Sequence, residues 1–172
     1  IDYRFAPNDA VHQAVADDAA DIGFATDTSS DERLSYQRIA QESLLLVTPA
    51  DVEKPDWRVL NELGFIDHPD GAHHAELLLR PNFTEFESIH SLPKTGFSNQ
   101  IALILEPVAL GLGFTVLPAH SVKAFHRQRA IRKHELTEAV SEPLYQVCRS
   151  GWPMPNRVST VCDEALRLLA GN

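Results

Sequence analysis

An α/β fold is what this sequence predicts, on three observations. Short apolar runs of strand length recur, Leu44–Val47 and Phe114–Leu117 most clearly, and each ends at a proline or another turn residue. Between such runs lie segments with apolar side chains at helical spacing. One stretch, Thr95–Pro118, reads as strand, helix and strand in succession. With 172 residues and 44% apolar side chains, the chain can bury a sizeable core as one domain or two small lobes.

In order, Ile1–Phe5 alternates apolar and charged residues, the period of a half-buried strand. Asn8 or Asp9 caps a helix over Asp9–Ala20, with Val11, Ala14, Val15 and Ala19 as its stripe. Asp21–Thr26 follows as a strand, so residues 1–26 are expected to form a parallel pair with a right-handed crossover. After a polar loop, Leu34–Ala40 reads as an edge strand and Leu44–Pro49 as a buried one. Trp57–Leu63 reads as a helix, Gly64–Asp67 as a strand and Ala72–Leu79 as a helix halted at Arg80-Pro81. His68-Pro69-Asp70-Gly71 is a turn.

In the central stretch, Ser98 or Asn99 caps a helix over Gln100–Leu110 whose residues are nearly all apolar. Such a helix is expected to be covered on more than one side. Pro107 should kink it or split it in two. Gly111 ends it in the left-handed conformation, and Gly113 permits close approach to a neighbour. Ala130–Leu136 and Glu142–Val147 read as strands, and Arg157–Leu169 as a final amphipathic helix.

Fifteen basic against 24 acidic residues leave a net charge of −9, which repels phosphate backbones, so this stretch is not expected to bind nucleic acid itself. No run approaches the ~18–20 apolar residues of a membrane span, and no signal peptide is visible. Two cysteines, Cys148 and Cys162, give no disulfide framework. Two reduced thiols in a cytoplasmic protein is the reading taken, with a single disulfide as the alternative.

Three segments share a resemblance. Val108–Pro118, VALGLGFTVLP, resembles the VxxGLGxxxLP segment of the effector-binding domain of LysR-type transcriptional regulators. Residues 14–26, AVADDAADIGFAT, are similar to that family's LxxGxLDxxI, with Asp21 at its aspartate. Residues 41–49 resemble its xxExLxLVxP strand. The resemblance implies two Rossmann-like lobes joined by two crossing segments, of the periplasmic binding protein type II kind. The first lobe would be residues 1–43 with 142–172, and the second 44–141. The family's pattern starts earlier, so the first lobe reads as truncated at its N-terminus, without its first strand and helix.

In open α/β sheets, ligands sit at strand carboxyl ends near helix N-termini, where backbone N–H groups favour anions. Asn8, Thr26, His68, Ser98 and Asn99 occupy such ends, and Phe114 is a further candidate to line the site. Ser98 and Asn99 are the leading pair. Capping alone would equally explain Ser98, and core packing would explain Phe114. Asp67, His68, Asp70, His73 and His74 are metal-ligand types, but adjacent histidines on a helix diverge, so a solvated loop is preferred and no metal is expected. There is no GxSxG elbow, and no catalytic residue is assigned. The resemblance implies a cytoplasmic effector sensor rather than an enzyme. It would bind a small anionic metabolite in a cleft between lobes and need no cofactor. It would act on promoter DNA through a helix-turn-helix outside this chain, and assemble as a homodimer or homotetramer. A solute-binding protein of a transport system is the alternative.

Overall fold

A computed structural model of the chain describes residues 1–170. Its elements, in order, are α1 (Asn8–Ala16), β1 (Gly23–Ala25), β2 (Leu34–Pro49), α2 (Trp57–Leu63), β3 (Phe65–Asp67), α3 (Gly71–Asn82), β4 (Lys94–Phe97), α4 (Leu105–Ala109), β5 (Thr115–Pro118), α5 (Ala119–Ala124), β6 (Ile131–His134), β7 (Ser141–Arg149) and α6 (Asn156–Ala170). The α/β expectation holds. The chain divides into two compact units, Ile1–Glu42 with Glu142–Asn172, and Ser43–Ser141.

In the first unit, β1 pairs antiparallel with β7, Gly23 opposite Val147 and Ala25 opposite Tyr145. Val15, Ala25, Leu34 and Val147 form its core, with Ala16, Ala20 and Tyr36 packed against them. The expected strand over Ile1–Phe5 is not formed. Those residues lie in coil, and Phe5 is 96% exposed. Alternation says which face of a strand would be buried, but a strand exists only where a neighbour takes its backbone hydrogen bonds. The expected parallel pair is therefore replaced by the antiparallel β1–β7 ladder. Helix α1 also stops earlier than expected, because Asp17 ends it and Asp18 turns into the left-handed region at φ 60°. Arg149 reaches across to this turn, its guanidinium donating to the Val15 and Ala20 carbonyls at 3.3 Å and pairing with Asp18 at 2.7 Å.

In the second unit, the apolar half of β2 is a central strand. Leu46 faces Val116 of β5 on one side and His134 of β6 on the other, both pairings antiparallel. Strands β3 and β4 pair in parallel, and Phe65 bridges in parallel to Phe114 at the head of β5. Leu44, Leu46, Leu60, Phe65, Leu79 and Phe114 are among the residues of one core cluster, and Ile66, Ile104, Val108 and Leu117 among those of another.

The central helix is split. A 3-10 turn over Ile101–Leu103 precedes α4. This start puts Pro107 in the first turn of α4, where a missing N–H costs nothing. Helix α3, by contrast, passes through Pro81 to Asn82. The break is tolerated at the last turn, where the Asn82 side chain donates to the Leu78 carbonyl at 2.9 Å. Coverage on two sides was expected for residues 100–110. Instead Ile104, Leu105 and Val108 are buried, while Ile101, Leu103 and Leu110 are exposed, Leu110 by 64%. Gly111 takes φ 80°, as its position after the helix predicts. At Gly113 a Cβ would sit 2.8 Å from the Gly64 carbonyl oxygen, which is the close approach the sequence suggested.

Candidate functional site

The candidate residues fall into one set in each unit. In the second unit, β3 and β4 run parallel, so their carboxyl ends lie side by side. The Ser98 N–H donates to the Asp67 carbonyl at 3.0 Å and ties the two ends together. Asp67 is held in place. One carboxylate oxygen accepts from the His68 N–H at 2.8 Å, and the other pairs with the Lys94 ammonium. Lys94 in turn lies 5.5 Å above the Phe97 ring. Lys94 is the residue that pattern reading missed. Its only signal in the sequence was a lone cation at the entry of a strand.

Ser98 does not cap a helix. Its hydroxyl makes a local turn, accepting from the Gln100 N–H and donating to the Gln100 carbonyl, each at 3.2 Å. The helical piece that follows spans only three residues, so the expected anion-favouring dipole of a long central helix is absent here. Asn99 is exposed beside it.

His68 is buried, 5% exposed, with Nε2 donating to the Val116 carbonyl at 3.0 Å. Burial pushes its pKa below the usual histidine value, and the charge of His74 adds to the fall. The ring packs 5.3 Å from that of His74. The structure thus gives the His68 ring a core partner, where contact with a ligand was expected. Phe114 is fully buried with its ring 5.4 Å from Phe65, so its place is the core reading weighed for it from sequence. Among the described residues, no group of three or more His, Cys, Asp or Glu could hold a metal ion.

In the first unit, Asn8 and Thr26 come together. The Asn8 amide donates to the Thr26 hydroxyl at 3.0 Å, and the Thr26 N–H donates to the Asn8 carbonyl oxygen at 3.2 Å. Asn8 therefore clamps the end of β1 to the first turn of α1 and does not cap the helix, whose N-cap is Pro7. One turn on, the buried His12 lies with Nε2 3.4 Å from Asp27 and its ring edge-on to Tyr36. This polar set occupies a strand end of the kind that serves ligands in α/β folds.

A family model described as the LysR substrate binding domain matches residues 1–170. Among solved structures, the regulatory domain of CcmR from Synechocystis PCC6803, in complex with 2-PG, is 15% identical with TM-score 0.69, over 95% of this chain and 80% of that one. The effector-binding domain of QuiR in complex with shikimate is 12% identical with TM-score 0.67, over 97% and 80%. A full-length OxyR variant from Pseudomonas aeruginosa is 19% identical with TM-score 0.73. That match covers 94% of this chain and 54% of that one. No curated protein sequence matches the chain. Among the described residues, no helix is long and apolar enough to cross a membrane.

Proposed function

From a chain that belongs to the LysR substrate-binding domain family, we infer an effector sensor for a small anionic metabolite. The observation that carries this reading is the pairing of the β3 and β4 ends through Ser98 and Asp67. It puts Ser98 and Asn99 next to Asp67 and its partner Lys94, whose ammonium has N–H donors left for a carboxylate or phosphate. Asn8 and Thr26 are the corresponding contacts in the first unit. Binding signals only if one arrangement of the protein holds the ligand better than another. The response passes to promoter DNA through a helix-turn-helix outside these residues. The regulator works in the cytoplasm as a homodimer or homotetramer, without a cofactor. The exposed apolar side chains Phe97, Ile101, Leu103, Leu110 and Leu112 supply the interface. The family match favours this sensor over a transport solute-binding protein or an enzyme.

Thermal unfolding with 2-PG, shikimate and a panel of small carboxylates tests the reading. A true effector at a hundredfold excess over its Kd adds about 2.7 kcal/mol of stability, which is about 5–10 °C in Tm for a chain of this length. Ser98→Ala should leave the ligand-free Tm nearly unchanged and abolish the ligand shift. A panel in which every compound is silent, or a Ser98→Ala protein that responds like wild type, rejects the assignment of this site.

A further inference from the structure

The first unit also gathers sulfur, in a place that the effector reading does not use. Cys148 is on β7, Met154 lies in the loop that follows, and Cys162 is on α6, a C-x5-M-x7-C spacing. Side chains alternate along a strand. Val147 enters the core with Val15 and Ala25, so Cys148 points to the opposite sheet face. Val158 and Cys162, four residues apart, form the buried face of α6. The Cys162 sulfur lies 3.8 Å from the Met154 sulfur. Cys148 and Met154 line one cavity of about 260 Å³ together with Ser35, Arg149 and Trp152.

Met154 thus touches one thiol and shares a cavity with the other. With metal–sulfur bonds of about 2.3 Å, two sulfurs on one trigonal or tetrahedral ion stand about 4 Å apart, close to the observed separation. An outer partner is in place as well, since the Gln146 amide donates to the Cys148 sulfur at 3.5 Å. Both cysteines are free.

We propose that Cys148, Met154 and Cys162 form a three-sulfur site for a soft monovalent cation, Cu(I). Thiolates serve Cu(I) and Zn(II) alike, and the thioether is what points to Cu(I), because zinc sites are built from Cys, His and carboxylate ligands rather than Met. On binding, each thiol releases its proton to solvent, the thioether coordinates as a neutral ligand, and no group is oxidised or reduced. The cation offsets part of the charge of the two thiolates and ties α6 to β7.

The test is anaerobic titration of the reduced protein with the coloured Cu(I)–bicinchoninate complex. One equivalent of Cu(I) per chain should be withdrawn from the dye. Bound Cu(I) should protect the half-buried Cys148 from iodoacetamide, read by mass spectrometry of wild-type protein with and without copper, which needs no variant to fold. Met154→Leu should weaken binding beyond the roughly 10–100-fold that the loss of an outer-shell partner costs, and Cys148→Ser should abolish it while circular dichroism stays native. The proposal fails if the dye keeps its copper, if Cys148 reacts as fast with copper as without it, if Met154→Leu binds as wild type, or if Zn(II) displaces Cu(I) stoichiometrically.

Discussion

His68 and His134 show what burial does to a single side chain. Each ring has a fixed partner, the Val116 carbonyl for His68 and the Thr48 hydroxyl, 2.7 Å away, for His134. Desolvation lowers the pKa of both, with the charge of His74 assisting for His68 and that of Arg132 for His134. A base whose pKa falls on folding binds its proton more readily in the unfolded chain. Their contribution is therefore complete above the unfolded histidine pKa of about 6.5 and is lost as pH falls below it. The denaturant midpoint should drop between pH 7.5 and 5.5. A His68→Gln/His134→Gln protein, which keeps N–H donors but cannot titrate there, should show a flatter profile. Equal slopes in the two proteins would remove the histidines as the cause. The sequence named His68 as a strand-end residue but gave no sign that its ring would turn inward. That choice depended on the Val116 carbonyl, 48 residues away. Asn8 and Thr26, likewise named from sequence, bond to each other across 18 residues of chain.

The element that organises the second unit is the Thr95–Pro118 stretch, and its two glycines act by different means. Gly111 has nothing within 4 Å of where a Cβ would be, so only its φ of 80° demands glycine. Gly113 has the Gly64 carbonyl oxygen, the Ile66 side chain and the Thr95 hydroxyl all at 2.8 Å from that point. Gly111→Ala should cost about 1–2 kcal/mol, the price of the left-handed conformation. Gly113→Val forces β3 and β5 apart and should cost more, near the top of the roughly 1–3 kcal/mol range for overpacking. Urea denaturation of both variants decides this, and equal midpoints would show that the contact yields freely. The sequence predicted both glycines correctly because local backbone rules act over a few residues. It failed on the length of the helix before them. Apolar content forecasts burial, but a five-residue helix beginning at Leu105 presents only some of its side chains to the core.

For the whole molecule, the exposed apolar side chains of Phe97–Leu112 matter most. Single exposed leucines are ordinary, but several within one short stretch favour association. Sedimentation velocity should show a concentration-dependent dimer that a Leu103→Glu/Leu110→Lys protein converts to monomer. A wild-type chain that stays monomeric up to about 100 μM, far above the micromolar Kd of ordinary specific complexes, would remove this face as the interface. What the sequence determined by itself was the α/β class, the buried strands Leu44–Val47 and Phe114–Leu117, the glycine turn, the splitting of the helix that holds Pro107, and the family. Periodicity, turn chemistry and the fixed φ of proline are local properties, so they survive without a fold. Only the tertiary structure decided that Ile1–Phe5 forms no strand, that β1 pairs antiparallel with β7, that His68 and Phe114 face the core, and that Cys148, Met154 and Cys162 gather in one unit. Each of those depends on a partner distant in sequence, and a hydrogen bond or a buried face is specified by both partners together.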